Sequence, residues 1–260
     1  MYVDGFDGHC LRAFAYYTHR MPDIVEQMHA AQDDPEVQVK IINSIADLHE
    51  EVRQDSKAPT FLLTYGGTWM GLHMNVGLDK DEAKKIEANY HDLYKVSDEW
   101  VASKIEQATH DGYVTVAFGL RLRTPILKQT LINAGQVPYE AKKEARTAGN
   151  ALGQSYGMLN NRAAIEFQAL TLSSPYRLDI MPCAPIHDAQ YFVIRDDIDV
   201  VHWFNENLVS CMQWQELEEI RHPAVKLGGD VEIFWPSWAE KVSLPNGASK
   251  EEIINIWGGS

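Results

Sequence analysis

The sequence has few cysteines and no long apolar runs. Its 260 residues include three cysteines, and no two of them form a C-x2-C pair. This pattern argues against a disulfide framework and a zinc knuckle, and it favours a reducing, cytoplasmic compartment. No apolar stretch is long enough to span a bilayer, so we expect no membrane partner. The first residues lack a basic segment followed by an apolar one, so no secretory signal is predicted.

Basic residues are also scarce. The chain has 23 Lys and Arg against 37 Asp and Glu, which gives a net charge of −14. Taken alone, this negative net charge argues against nucleic-acid binding, because Lys and Arg are the residues that bind phosphate. The local distribution argues the other way, since basic residues are concentrated at positions 84–85, 121–128 and 142–146. The ten histidines show no H-x3-H or H-E-x2-H spacing, so a zinc site is not expected.

The order of the predicted elements favours an α+β fold. Hydrophobic residues make up 45% of the chain and charged residues 23%, as in ordinary globular proteins. Helical periodicity extends over residues 42–65, 80–110, 140–172 and 199–214, with interruptions at 56–59 and 157–161. Strands are predicted within residues 113–118, 179–185, 190–195 and 225–235. The strands do not alternate regularly with the helices, which is typical of α+β and not of βαβ folds.

Four side chains in the first of these helices share one face. Arg53, Lys57, Phe61 and Tyr65 are spaced four apart, and each step of four drifts by only about 40° around a helix. Cations bind phosphates and aromatic rings stack on a base or a sugar, so the order suits a nucleotide laid along the helix. The alternative is an amphipathic helix with an exposed charged end, and Pro59 predicts a kink within it.

Two further segments have polar residues at informative positions. Arg146, Asn150 and Gln154 share one helical face, which suits contacts to base edges and sugars or is simply a solvated face. His187 and Asp188 lie between two apolar runs, which predicts a β-hairpin with both residues at its tip. A carboxylate there can reach Mg2+, although turns favour Asp in any case.

Together these segments resemble family A DNA polymerases, the group that contains bacterial polymerase I and many phage replicative enzymes. The fingers-helix motif R-x3-K-x3-F-x3-Y-G is complete at residues 53–66, and residues 47–49 resemble the D-[IL]-H segment upstream of it. The palm-helix motif R-x3-N-x3-Q is complete at residues 146–154, and residues 186–189 resemble the metal-binding turn. Residues 112–121 resemble the G-Y-V-x-T-x-x-G-R-R segment, with Val116 and Leu120 departing from it.

The resemblance implies roles for the fingers residues. Arg53 and Lys57 would hold the triphosphate of the incoming dNTP, and Lys57 would also donate a proton to the leaving pyrophosphate. Phe61 would pack on the sugar, where family members with Phe tend to reject dideoxynucleotides. Tyr65 would lie near the templating base, and Gly66 would end the helix.

It also implies contacts to DNA and metal. Arg146, Asn150, Gln154 and Arg121 would contact the primer-template. Asp188 would be an essential metal ligand, and His187 would lie near the primer end. Ala189 stands where some members of the family have Glu, so this chain has no second carboxylate at that position.

Nucleotidyl transfer in this family uses two metal ions, here Mg2+, held between two aspartates. The first aspartate belongs to a D-[YF]-S-x-x-E-L-R-x-x-A segment, and residues 11–15 match its L-R-x-x-A end. The expected Asp falls at Gly5, with Asp4 and Asp7 on either side, and Cys10 replaces the Glu. Either carboxylate is a candidate ligand, and the alternative is an acid at the surface near a chain end.

The resemblance predicts an incomplete palm at residues 1–40, fingers at 41–138 and the remaining palm at 139–260. The thumb is not represented, so the chain is expected to be the C-terminal piece of a split or truncated polymerase completed by an N-terminal polypeptide. Two alternatives remain open: a catalytically silent module that binds DNA or nucleotide, and a fragment that only scaffolds replication proteins.

Overall fold

The computed structural model describes residues 4–31, 34–130 and 137–257. The helices are α1 Gly8–Tyr17, α2 Pro22–Ala30, α3 Pro35–Asn43, α4 Ile45–Leu48, α5 Glu50–Asp55, α6 Lys57–Thr64, α7 Trp69–Gly71, α8 Lys80–Leu93, α9 Lys95–Asp111, α10 Pro125–Lys128, α11 Tyr139–Gln154, α12 Met158–Ser173, α13 Ile198–Met212 and α14 Lys250–Trp257. Within the described ranges, no helix has both the length and the apolar character needed to cross a membrane.

The strands form three separate antiparallel hairpins, β1–β2, β3–β4 and β5–β6. Their bounds are β1 Tyr113–Thr115, β2 Arg121–Arg123, β3 Ile180–Ile186, β4 Ala189–Ile194, β5 Val231–Phe234 and β6 Lys241–Leu244. Helices with small antiparallel sheets confirm the predicted α+β class. The chain divides into two compact units, Met1–Gln154 and Ser155–Ser260, so the division lies within the segment that the sequence assigned to the second part of the palm.

The first unit contains two apolar cores. The larger is built around α1, whose buried side chains pack with those of α3 to α6 and α8. Its fully buried members include Cys10, Ala13, Tyr16, Ile45 and Ile86. The smaller core joins α9, β1, α10 and α11. The larger core includes buried residues of α5 and α6, which carry the R-x3-K-x3-F-x3-Y-G motif. The smaller core includes buried residues of α11, which carries the R-x3-N-x3-Q motif, so packing holds these helices in place.

The predicted helix over residues 42–65 falls on the last two residues of α3 and on three shorter helices, α4, α5 and α6. His49 interrupts the first pair with φ −138° and ψ 47°. Ser56, between α5 and α6, keeps a helical φ of −69° and ψ of −17°. Pro59 is the third residue of α6, where it cannot donate a backbone hydrogen bond to Asp55. Because Ser56 is helical, the helical path continues from α5 into α6. The four side chains that are spaced four apart therefore still lie along one face.

The predicted helix over residues 80–110 is two helices, because Tyr94 leaves the helical region with φ −107° and ψ 19°. The spacing of apolar residues over 80–110 also predicts that Trp100 belongs to the buried face of one straight helix. This is wrong, because its side chain is 44% exposed and the Lys104 amine lies 6.0 Å from the centre of its ring. The break at Tyr94 ends the straight periodicity on which that prediction rested. Gly112 ends α9 as predicted, with a φ of +78° that favours glycine.

The second unit packs α12 and α13 against one face of the β3–β4 hairpin. Phe167 of α12 lies in edge-to-face contact with Phe192 and Phe204, at centroid distances of 5.4 and 5.3 Å. Val231, Leu244 and Ile253 extend this core to β5, β6 and α14. The sequence predicted β5 but neither β6 nor α14. The core anchors the hairpin whose tip carries His187 and Asp188.

Candidate functional site

The four-residue stripe of α5 and α6 is half-buried at its basic end and exposed at its aromatic end, because Arg53 and Lys57 are partly covered. Phe61 is 56% exposed and Tyr65 is 46% exposed, whereas Pro59 and Leu63 are buried in the same helix. Burial of an aromatic side chain is strongly favourable, so two exposed rings on one face are unusual for a helix that serves only the core. The rings remain accessible for stacking against a ligand.

A tight turn closes α6 immediately after Tyr65. The Gly66 amide donates to the Leu63 carbonyl at 2.9 Å, and the Gly67 amide donates to the Leu62 carbonyl at 2.9 Å. These two bonds, with a φ of +72° at Gly66, form a Schellman motif. A Cβ on Gly67 would lie 2.6 Å from the Leu62 carbonyl oxygen, so this position requires glycine. The turn fixes where the stripe ends.

The second polar face meets this turn directly. Asn150 Nδ2 donates to the Tyr65 carbonyl at 3.3 Å. A Cβ on Gly66 would lie 3.1 Å from Cγ of Arg146, so the Arg146 side chain covers this glycine. Gln154, at the end of α11, is exposed. The sequence predicted each face separately. The structure brings Asn150 to the Tyr65 carbonyl and Arg146 to Gly66, and among the described residues no hydrogen bond joins Gln154 to this turn.

Arg121 lies on the β1–β2 hairpin. Its guanidinium carbon is 4.4 Å from the centre of the Tyr113 ring, a cation–π contact within the hairpin. The residue is exposed, and Val116 closes the turn by donating its amide to the Leu120 carbonyl at 2.8 Å. The contact holds the Arg121 charge at the surface of the first unit.

Asp7 is the N-cap of α1 and the ion-pair partner of Arg53. Its Oδ1 accepts from the amides of His9 at 2.7 Å and Cys10 at 2.9 Å, and its Oδ2 accepts from Arg53 NH2 at 2.9 Å. Partial burial raises the pKa of Asp7, but the Cys10 amide, the Arg53 hydrogen bond, the His9 amide and the Arg53 charge outweigh it and lower the pKa to about 2. Asp7 is therefore ionised at neutral pH.

Basic side chains surround this carboxylate. Arg12 is nearly buried, with its NH1 donating to the Tyr94 hydroxyl at 2.8 Å and its NH2 lying 2.6 Å from His9 Nδ1. Burial lowers the pKa of His9, and the charges of Arg12, Arg53 and Lys57 lower it further. A neutral His9 ring can accept from Arg12. The start of α1 is thus a positive region, which suits an anion with several charges.

The other residues of the first segment take different positions. Asp4 is exposed, and Gly5 has a φ of +88°. Asn43 holds this segment to α3, because its Oδ1 accepts from the Asp7 amide at 2.7 Å and its Nδ2 donates to the Gly5 carbonyl at 2.9 Å. Cys10 is buried, and its thiol lies 3.7 Å from the Asn43 carbonyl. Nothing in the sequence pattern pointed to Asn43.

In the second unit, His187 and Asp188 form the two-residue tip of the β3–β4 hairpin, as predicted. Ile186 pairs with Ala189, and His187 has a φ of +54°, a conformation that tight hairpin turns require. Both tip residues are exposed. The Asp188 carboxylate is therefore presented to solvent on a short, closed turn.

Asn160 of α12 supports this turn. Its Nδ2 donates to the His187 carbonyl at 3.3 Å, while its own carbonyl and Oδ1 accept from Gln190 Nε2 at 2.7 and 2.8 Å. Sequence reasoning missed both Asn160 and Gln190, since single amides in a helix and a strand carry no spacing signal. These hydrogen bonds hold the hairpin tip against α12, and the Asp188 side chain remains exposed to solvent.

The donor chemistry of the candidate metal residues suits a hard cation, because Asp188 and Asp4 present exposed carboxylates and Mg2+ prefers oxygen ligands. Among the described residues, no group of three or more His, Cys, Asp or Glu side chains is arranged to hold a metal ion. Asp188 offers one exposed carboxylate, so an ion bound there would need further oxygen atoms from water or substrate.

Comparison with known proteins gives two findings. Residues 18–238 match the family model described as DNA polymerase family A; Asp4 and Asp7 precede the matched range. The chain is also similar to a solved structure, the POL domain of Pol1 from M. smegmatis in complex with DNA primer-template and dNTP, with a TM-score of 0.53 and 21% identity. That alignment covers 68% of this chain and 29% of the other, so the similarity concerns the fold and spans less than a third of that protein's length.

Proposed function

The chain belongs to DNA polymerase family A, and on this premise we propose that it performs template-directed nucleotidyl transfer from dNTPs as part of a DNA-directed DNA polymerase. The observation that carries the proposal is the shared face of α5 and α6, whose cations are half-buried and whose aromatic rings are exposed. Its cations precede its aromatic rings, and its end is fixed against Arg146 and Asn150 by the turn at Gly66.

The incoming dNTP is bound along this face. Arg53 and Lys57 hold the triphosphate, and Lys57 donates a proton to the leaving pyrophosphate. Phe61 packs on the sugar and Tyr65 lies near the templating base. The positive region at the start of α1 supports the phosphate assignment. The charges of Arg53 and Lys57 both lower the pKa of His9, so the two cations act on the same region.

The primer-template is contacted by α11 and by the β1–β2 hairpin. Arg146, Asn150 and Gln154 approach the base pair nearest the insertion site, and Arg121 contacts the backbone phosphates. The hydrogen bond from Asn150 to the Tyr65 carbonyl supports this assignment, since it couples the helix that contacts DNA to the end of the helix that binds the dNTP.

Asp188 holds Mg2+, and His187 lies near the primer end. When bound, Mg2+ neutralises the charge that develops on the transferred phosphoryl group. The exposed tip and its support by Asn160 favour this role for Asp188. The second carboxylate is supplied by the Asp4–Asp7 segment.

We assign residues 1–40 and 139–260 to the palm and residues 41–138 to the fingers. An N-terminal polypeptide carrying the thumb completes the enzyme in the cytoplasm. The solved polymerase domain to which the chain is similar is much longer, because the alignment covers 29% of it. This chain therefore spans less than a third of that polymerase chain, which supports the proposal that further polypeptide completes the enzyme.

A second candidate is a silent module that binds DNA or nucleotide without catalysis. It is favoured by one specific observation: the segment expected to supply the first aspartate has Gly5 at that position, and the neighbouring Asp7 carboxylate is occupied by Arg53. Such a module would retain the stripe and the α11 face while lacking one metal ligand.

Primer extension in Mg2+ separates the two candidates. The chain is assayed alone and co-expressed with the polypeptide encoded upstream of it, with binding of dNTP measured in parallel. Extension by the pair supports the polymerase. Binding of dNTP and DNA without extension in either preparation supports the silent module, and the absence of both binding and extension contradicts the two together.

A further inference from the structure

Asp7 has its hydrogen-bonding capacity almost filled by the protein. An ionised carboxylate offers about four acceptor positions. Three are taken, by the amides of His9 and Cys10 on Oδ1 and by Arg53 on Oδ2. The Asp7 amide is bound as well, by Asn43 Oδ1 at 2.7 Å. Both the carboxylate and the backbone of this residue are therefore fixed in one orientation.

The surroundings of Asp7 also disfavour a bound cation. Arg53 donates directly to its carboxylate at 2.9 Å, and Arg12 NH2 lies 2.6 Å from Nδ1 of the neighbouring His9. A Mg2+ ion at Asp7 would have to displace Arg53 or the amides at the helix start, and it would then face these basic groups at short range. Repulsion between like charges in a half-buried setting is costly.

What Asp7 does provide is a fixed anchor for Arg53. The side chain of Arg53 is 21% exposed, its NH2 is held by Asp7, and its Nε is buried without a hydrogen-bond partner in the described part of the chain. A free arginine side chain loses much rotamer freedom on binding a phosphate. The ion pair between α1 and α5 restricts that freedom beforehand.

We propose that Asp7 is a positioning residue for Arg53 and is not a metal ligand. Asp7 caps α1, holds the guanidinium of Arg53 in place across to α5, and so prepares it to bind a phosphate of the incoming nucleotide. The nature of that anion rests on the proposed function, whereas the coupling between Asp7 and Arg53 does not.

The assignment is tested by measuring kcat and KM for dNTP with the Asp7→Asn variant. The assay is steady-state primer extension by whichever preparation, the chain alone or the co-expressed pair, is active. Asparagine caps helices as well as aspartate does, so the variant removes the charge at Oδ2 and keeps the cap. We expect the KM for dNTP to rise about tenfold with kcat within about threefold of wild type, because each factor of ten corresponds to about 1.4 kcal/mol, the scale of one charged hydrogen bond. Asp34→Asn is the matched control, since Asp34 caps α3 through the amides of Glu36 and Val37.

Three results of that assay would overturn the proposal. A fall in kcat of about a thousandfold, with KM little changed, would make Asp7 a metal ligand. A lower KM would make Asp7 a competitor of the nucleotide for Arg53. Equal effects of Asp7→Asn and Asp34→Asn on KM would reduce Asp7 to a helix cap.

A double-mutant cycle on the full chain alone tests the pair without any polymerase activity. Asp7→Asn, Arg53→Gln and the double variant are unfolded in urea, and we expect a coupling of about tenfold in the unfolding equilibrium constant. Additive effects would contradict the anchoring of Arg53 by Asp7. If the wild-type assembly neither binds dNTP nor extends primers, the proposed function fails while this cycle still decides whether the two residues are coupled.

Discussion

Replacing Gly67 with alanine should destabilise the first unit and disturb the nucleotide-binding face. The new Cβ would lie 2.6 Å from the Leu62 carbonyl oxygen and 2.1 Å from Leu62 Cδ2. The side chain can rotate away, but the carbonyl is backbone within α6 and cannot. Relief requires the loss of the hydrogen bond from Gly67 to Leu62, so the overpacking and the lost bond together should cost about 2–4 kcal/mol.

The assay is urea unfolding of the full chain followed by far-ultraviolet circular dichroism. Gly153→Ala is the control, because nothing lies within 4 Å of a Cβ at that helical position; it should stabilise the chain by about 0.5–1 kcal/mol. Gly67→Ala should also raise the KM for dNTP, since Tyr65 is placed by the turn. A Gly67→Ala chain as stable as wild type would refute the assignment of this turn as a fixed end to the stripe.

Three further predictions concern the stripe, the start of α1 and the hairpin. Phe61→Tyr should raise incorporation of dideoxynucleotides relative to deoxynucleotides in a competition assay, and an unchanged ratio would mean that Phe61 does not face the sugar. The pKa of Asp7 is lowered from 3.8 to about 2 in the folded chain, so its contribution to stability should be full above about pH 4 and disappear as pH falls through about 2. The urea midpoints of wild type and Asp7→Asn should therefore converge near pH 2. A constant difference between the two midpoints down to pH 2 would contradict this. Asn160→Ala should cost about 1 kcal/mol through the lost bond to His187 and slow extension at saturating dNTP; an unaffected rate would mean that Asn160 does not support the tip.

The parts of the fold that the sequence predicted well depend on short-range geometry. The stripe of α5 and α6 follows from a spacing of four, and the hairpin tip at His187 follows from two apolar runs that flank two polar residues. Gly66 and Gly112 both end helices as expected, because their positive φ values suit glycine. These features depend on neighbours within a few residues, which a single sequence displays directly.

The parts that were missed depend on contacts between distant segments. The break at Tyr94 has neither Pro nor Gly to mark it, and the tertiary hydrogen bond from Arg12 to the Tyr94 hydroxyl joins residues far apart in the chain. The roles of Asn43 and Asn160 also arise from contacts across the fold. The short β6 and α14 carry too few residues for a periodic pattern to stand out.

The candidate site shows the same division. Resemblance identified Arg53 and both aspartates near the chain start, but only the structure pairs Asp7 with Arg53. Resemblance also singled out His49 within residues 47–49, but only the structure pairs it with Asp23, whose Oδ2 lies 2.9 Å from His49 Nε2. Spacing along a helix shows which side chains share a face, and it cannot show which partner from another helix meets that face.

The most direct test of the central claim is single-turnover primer extension with the Asp188→Asn variant, at saturating dNTP and Mg2+ and in the presence of the upstream polypeptide. Asp196→Asn, at another exposed position in the same unit, is the control. We expect wild type and the control to extend the primer at similar rates, and Asp188→Asn to be slower by about a thousandfold or more because a metal ligand is lost from the transition state. Extension at the wild-type rate by Asp188→Asn would contradict it.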